Sequence, residues 1–563
     1  MSAVGAVLEI QNDALRIRID PQTLRADLSD RSEGLVLEGL GPDLTGDPAA
    51  PLFSRAERVH AVGEVRGPTG PADRVEMQIW EPRGIGLRWI IEVPRDEPGV
   101  AASLCVENRS SEAILLHTLH PLSIQRSDGA RTSLAGPFTT ERLPLTENPH
   151  GGEPLESLLL LDLAGDLWGL LGFTTARLAW THWELESSGS QVTRLQAVNA
   201  LGGRTLPPGG VIESDRAWLA VGSSRDALLM GWVRRTGLEM DSRAPRGGAV
   251  TWSPHRRYDL LPGLEPDGIQ VIEGEAATEV PSYRARLARA RAQLAPGSLL
   301  VATDAPFGAS VGLADARGAS RSTPPGAHDL ELAFTNQRLW LLAPGPLRVA
   351  DGSLEEARTR ASIAGLAGGL LTLADDIDTL SDERFAILQR ILPPLARKAN
   401  APLARKANAP LAPGLLVTPL VGAKLGVLLL NGEAKRADLG LPFRALGQRG
   451  PFHGFDFWEN RPLGLLREGI PARGVDPGGC RVIGLTPPSD RAQVIGSSLH
   501  IGMGTLEVAS LRPHSPSGHI LSLRLAGTHR GDVWIAESQS TTAVRVPVAF
   551  SDATVVEVGA ATS

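Results

Sequence analysis

Residues 369–376 read Gly369-Leu370-Leu371-Thr372-Leu373-Ala374-Asp375-Asp376, and a helical pattern over 381–392 follows until Pro393-Pro394 stops it. A short apolar run bounded by turn formers reads as a strand buried on both faces, and a strand followed by a helix reads as one βα unit of parallel sheet. The same grammar runs upstream. Gly268-Ile269-Gln270-Val271-Ile272 is an apolar strand that leads into Glu273-Gly274-Glu275, and a helix is expected over 282–295 with Tyr283, Leu287, Ala290 and Leu294 on one face. Pro296-Gly297 ends it, Leu299-Leu300-Val301-Ala302 is the next strand, and Arg338-Leu339-Trp340-Leu341-Leu342 is another. A further helix begins at Ser353, where Ser353 and Glu356 have capping-box spacing.

Outside this stretch the pattern changes to period two. Leu15/Ile17/Ile19, Val75/Met77/Ile79 and Leu87/Trp89/Ile91 alternate with polar residues before residue 232, and Leu521/Leu523/Leu525 and Val544/Val546/Val548/Phe550 do so after 413. Such runs between Gly, Pro, Asp and Ser clusters are antiparallel strands with one face on a core. The expected organisation is therefore a large N-terminal β-sandwich over 1–232, a (β/α)-barrel-like region over 233–394, a linker over 395–412 and a C-terminal β-sandwich over 413–563. The linker carries a perfect duplication: 395–402 and 403–410 both read Leu-Ala-Arg-Lys-Ala-Asn-Ala-Pro. A complete eightfold barrel needs about 250 residues, whereas the stretch before the linker shows four or five strands. The expectation is an incomplete barrel whose strand edges need cover, hence a homo-oligomer.

Composition excludes several classes. A net charge of -7 and a pI near 6.0 are wrong for a phosphate-binding surface, so nucleic acid is not an expected partner. Cys105 and Cys480 are the only cysteines, which argues against a disulfide framework. The apolar stretch 411–430 is interrupted by Pro413, Pro419, Gly422, Lys424 and Gly426, so no membrane span is expected. Without a secretory pattern at residues 1–13, the expected location is cytoplasmic. His150, His500 and His514 lack metal-ligand spacing, and there is no Gly-rich phosphate loop and no Gly-X-Ser-X-Gly elbow. No metal or cofactor is expected.

The segment Asp304-Ala305-Pro306-Phe307-Gly308, followed by Val311-Gly312-Leu313-Ala314-Asp315-Ala316-Arg317, resembles the late barrel segment of the melibiase-type α-galactosidases, where Pro-Leu-Gly precedes Gly-Leu-Val-Asp-Ala-Met-Arg. Leu354-Glu355-Glu356-Ala357-Arg358 and the 368–376 run are similar to that family's last helix and strand. Phe455-Asp456-Phe457-Trp458-Glu459-Asn460-Arg461 and Ile495-Gly496-Ser497-Ser498-Leu499-His500 resemble its C-terminal sandwich. The resemblance implies a multidomain glycoside hydrolase for α-galactosides, working by a retaining mechanism with one carboxylate as nucleophile and one as acid/base.

The residues depart from that chemistry at three places. The family's nucleophile sits in Lys-X-Asp, but the only lysines here are Lys398, Lys406, Lys424 and Lys435. Gly318, Ala319, Ser320 and Arg321 stand where the acid/base is expected, and Leu342-Ala343-Pro344-Gly345-Pro346 replaces Asn-Asp-Pro-Asp. The expectation is a catalytically impaired relative, with a non-catalytic carbohydrate-binding or assembly module, or the product of a gene with an internal deletion, as alternatives. If the protein is an active α-galactosidase-type hydrolase, the carboxylates must come from Asp304, Asp375, Asp376 or Glu275, near the C-terminal ends of strands. Glu273 lies in the same acidic run. Trp252 could stack on a sugar, and Asp315 and Arg317 could bind substrate. Each has a structural reading as well: Trp252 as core, Asp375 and Asp376 as turn and cap residues, Asp315 and Arg317 as a local ion pair.

Overall fold

The computed structural model describes residues 7–31, 36–47, 58–80, 84–125, 139–143, 158–163, 167–188, 191–242, 249–251, 269–273, 279–295, 298–303, 308–318, 325–367, 369–395, 414–446, 448–515, 518–537 and 542–559. It divides into two compact units. One comprises Met1–Arg243, Ile272–Gln293 and Asp304–Ala314; the other comprises Ala244–Val271, Leu294–Thr303 and Asp315–Ser563.

The first unit is built on a seven-stranded and a nine-stranded antiparallel sheet. The alternating residues meet between them: Leu15, Ile17 and Ile19, Val75, Met77 and Ile79, and Leu87, Trp89 and Ile91 all belong to one buried cluster with Trp183 and Phe173. Trp89 is fully buried and satisfies its indole N–H on the carbonyl of Pro121 at 2.9 Å, as an interior tryptophan must. The helix Arg225–Glu239 starts at Ser224, whose Oγ accepts from the Ala227 N–H at 3.3 Å. Trp232 donates to the Phe173 carbonyl at 2.9 Å, and buried Arg235 pairs with Glu97 at 2.7 Å and Glu239 at 2.8 Å while lying 4.3 Å from the Trp218 ring. These contacts fix the helix on the nine-stranded sheet.

The helix expected over 282–295 runs Val280–Gln293 and buries Tyr283 and Leu287. Its Arg284 donates to the carbonyls of Ala309 and Val311 at 2.7 and 3.2 Å, holding the turn that contains Gly312. At Gly312, φ is +80° and a Cβ would lie 1.9 Å from the Met240 carbonyl oxygen, so only glycine fits.

In the second unit, Leu299–Thr303, Ala316–Gly318 and Leu341–Ala343 pair in parallel, with Ile269–Glu273 completing a four-stranded sheet. Ala249–Thr251 pairs in parallel with Leu370–Thr372. Six strands are thus found here among the described residues, against the four or five expected. The one not anticipated is Ala316–Gly318: Ala-Arg-Gly has no β-branched or aromatic residue, and three positions are too few to show a period. The capping box at Ser353 forms as its spacing predicts, with Glu356 accepting from the Ser353 N–H at 2.7 Å and Ser353 Oγ accepting from the Glu356 N–H at 3.2 Å, and the helix runs Leu354–Ala367.

After residue 414 a five-stranded sheet and a four-stranded sheet follow, each with its own apolar cluster. The long strands Gly518–Ala536 and Ala543–Gly559 bury Leu521, Leu523, Leu525, Val546, Val548 and Phe550, the alternation read from the sequence. No described helix is long and apolar enough to cross a membrane.

One partly buried charge in this part destabilises the fold. Lys424 donates to the Val494 carbonyl at 2.5 Å, and burial pushes its ammonium down from 10.5 to about 8, against a smaller opposing attraction from Glu507. The unfolded chain holds this proton up to about pH 10.5 and the folded chain releases it near 8, so stability rises between those values. Lys424→Met should be more stable than the parent at pH 7, by on the order of 1–3 kcal/mol. Urea melts at pH 7 and pH 10 check this, and the difference should shrink at the higher pH.

Candidate functional site

The catalytic ends of parallel strands are their C-terminal ends, and two of these are followed by described residues. After Leu341–Ala343 the chain continues through Pro344 and Gly345, both buried, to fully buried Leu347. No carboxylate stands there. After Leu370–Thr372 come Leu373, Ala374, Asp375 and Asp376.

Gly369 determines how closely these two strands approach. Its φ is +111°, and a Cβ would lie 2.2 Å from the Leu342 carbonyl oxygen. Fully buried Asn336 completes the joint: its Oδ1 accepts from the Leu342 N–H at 3.0 Å and its Nδ2 donates to the Ala367 carbonyl at 2.8 Å, tying the end of the 354–367 helix to the strand. The sequence offers little signal for this role, since one Asn after Phe334-Thr335 reads equally as a loop residue.

Asp375 is buried, and its carboxylate accepts from the N–H groups of Val349 at 2.5 Å and Ala350 at 3.3 Å. Burial pushes its carboxyl up from the ordinary aspartate range, and those two N–H groups oppose the shift. A buried carboxyl raised in this way has the electrostatics of a proton donor, yet both oxygens are engaged by backbone. Asp376 caps the short helix Ile377–Thr379, accepting from the Asp378 N–H at 3.2 Å. Ser381 then caps Asp382–Ile391 through the Arg384 N–H at 3.4 Å.

Asp315 and Arg317 are both buried at the base of the neighbouring strands. Asp315 Oδ2 accepts from the Leu300 N–H at 2.9 Å, while its backbone bonds to Leu300 on one side and Leu341 on the other. Its carboxylate thus helps to hold three chain segments in register. Arg317 lies 5.5 Å from the ring of fully buried Trp340, a cation–π contact to a residue not singled out from sequence. Asp304, Glu275 and Trp252 lie outside the described residues, and Glu273 is described only as the end of a strand. Among the described residues no cluster of His, Cys, Asp and Glu could hold a metal ion.

Set beside known proteins, the chain matches no family model and no curated protein. Solved structures do resemble it. An α-galactosidase from Lactobacillus brevis has a TM-score of 0.53 at 10% identity over 86% of this chain and 98% of its own. A glycoside hydrolase family 97 enzyme from Pseudoalteromonas sp. strain K8 has a TM-score of 0.48 at 11% identity over 85% of this chain and 100% of its own. A β-L-arabinopyranosidase from Geobacillus stearothermophilus has a TM-score of 0.34 at 12% identity over 39% of this chain, which spans 59% of that enzyme's length. The fold is glycoside hydrolase-like, and beta-rich over several sheets.

Replacing Asp375 by Asn should cost about 1–3 kcal/mol, because one of two backbone donors would face an amide NH2 instead of an acceptor. Asp376→Ala should cost about 1 kcal/mol through the lost cap. Chemical denaturation reads both, and an unchanged unfolding midpoint with abolished turnover in Asp375→Asn would assign that carboxyl to chemistry instead.

Proposed function

We propose that this protein is a carbohydrate-active relative of α-galactosidases that binds glycosides and lacks the family's retaining catalytic pair. The likeness that carries the reading is the near end-to-end correspondence with the Lactobacillus brevis α-galactosidase. The sequence elements around 304–317, 354–376 and 455–461 support the same family. The apolar, buried continuation of the 341–343 strand supports loss of the chemistry, since it stands where that family carries Asn-Asp-Pro-Asp.

In this reading α-galactosides are the ligand class. Trp252, Asp315 and Arg317 are the proposed substrate-binding residues, and Asp304, Asp375, Asp376 and Glu275 remain the carboxylates from which any residual activity would be drawn. Among the described residues the parallel strands are short and few, so the proposed quaternary state is a homo-oligomer in which a second copy covers exposed strand edges. The proposed division is the N-terminal sandwich, the incomplete barrel, the duplicated linker and the C-terminal sandwich at 1–232, 233–394, 395–412 and 413–563.

Purified, folded protein tested at high concentration against aryl α- and β-glycosides from pH 4 to 8 should show no turnover, while calorimetry with an α-galactoside should show saturable binding. Turnover of the α-galactoside that is lost on replacing one of the four carboxylates would overturn the non-catalytic part. Absence of both binding and turnover would overturn the carbohydrate reading altogether.

A further inference from the structure

The seven-stranded sheet of the first unit carries a second polar constellation, on the face turned away from the inter-sheet core. Trp183, Leu195 and Ala197 point into that core. Since side chains alternate along a strand, His182, Glu184, Gln196 and Val198 point the other way. Strand register places these residues in rows. His182 stands opposite Val198, Asp43 opposite His120, and Glu184 opposite Gln196, which in turn stands opposite Ser123. His120, Val198, Gln196 and Ser123 are all buried, although none belongs to the inter-sheet cluster.

The hydrogen bonding of the two imidazoles is half complete. His120 Nε2 lies 2.7 Å from Thr118 Oγ1, which lies 2.6 Å from Thr45 Oγ1. His182 Nε2 lies 3.4 Å from Glu184 Oε1, and the bond from His182 holds the Glu184 carboxyl below its ordinary range. Glu184 is therefore ionised at neutral pH, so His182 Nε2 is the donor. Nδ1 of His120 and Nδ1 of His182 are both buried without a partner among the described residues. A bare ring nitrogen is tolerable in that position, whereas an N–H there would be a buried donor with nothing to accept it.

The charged and titratable groups facing His120 come from three strands. Asp43 on Val36–Asp47 and Glu184 on Trp180–Ser188 favour a proton on it; Arg194 on Gln191–Leu206 and His182 oppose one. Arg194 is itself held at 2.6 Å by Glu184 and at 2.7 Å by Gln196. Burial outweighs the two carboxylates and lowers the His120 imidazole from its ordinary value.

We propose that the cross-strand pairs His182–Val198 and Asp43–His120 form an acid-sensitive latch: a proton taken from solvent at His120 Nδ1 finds no acceptor among the described residues, and the pairing of the strands that carry these residues loosens locally. The sign follows from linkage. Below about pH 6.5 an opened segment binds a proton that the closed segment refuses, so closure is fully favoured above that value and weakens as pH falls towards the lowered native value. The opening constant should rise by up to about tenfold per pH unit across that window.

Hydrogen exchange on the full chain tests this. Amide protection in Ile114–Gln125 and Gln191–Leu206, corrected for intrinsic rates, should fall between pH 7.5 and 5.5, while that of Gly99–Asn108 in the other sheet should not. His120→Gln should flatten the pH dependence. Should that variant fail to fold, C2-proton exchange of the histidines in the parent protein decides alone. His120 titrating below free histidine and exchanging slowly supports the latch, and His120 titrating at or above it overturns the proposal. Equal loss of protection in both sheets also overturns it.

Discussion

The parallel pairing of Ala249–Thr251 with Leu370–Thr372 is the constraint on which the path of the chain between them depends. Parallel neighbours cannot be joined by a tight turn, so everything between these strands must leave the sheet and return with its backbone bonds satisfied. The return is possible because Gly369 lets the last strand come against Leu342 without a side chain in between, and because Asn336 occupies both a strand N–H and a helix carbonyl that would otherwise be buried unpaired. Asp315 does the comparable work one strand over, with its carboxylate on Leu300.

That use of polar side chains bears on function more directly than a count of carboxylates does. A catalytic pair needs oxygens aimed at a substrate and environments that separate their proton affinities. Asp375 has the raised proton affinity but points its oxygens at Val349 and Ala350, while Asp376 accepts from Asp378. The fold is glycoside hydrolase-like, yet fold and chemistry are separable: sites are grafted onto folds by a few side chains. At the two strand ends followed by described residues, the side chains are apolar or bonded to backbone.

The large sandwich was legible from period two because its strands are long enough to repeat a pattern. Leu15, Ile17 and Ile19 occupy the inner face as alternation requires, and the capping box at Ser353 and Glu356 forms because four residues contain all its chemistry. The parallel strands were legible in outline only. The three-residue ones have no period, and Ala316–Gly318 has no strand-forming residue at all; tertiary pairing alone makes it a strand. Asn336, Trp340 and the His120 row escaped notice for a related reason, since each acts through residues that are neighbours only across strands or after a helix has folded back.

The same distinction separates the two kinds of buried polar group in this protein. Asn336 is an amide that does not titrate and bonds to backbone here, so it stabilises one arrangement under all conditions where the chain folds. His120 has a partner on one nitrogen and, among the described residues, none on the other, and the imidazole is the side chain whose ordinary pKa lets its donor count change near neutral pH. A fully satisfied polar group specifies a structure, whereas a half-satisfied titratable one makes that structure conditional. On the outer face of the seven-stranded sheet a buried imidazole, two carboxylates and a guanidinium meet across four neighbouring strands, and in the latch reading it is there that the stability of the sandwich becomes coupled to protons.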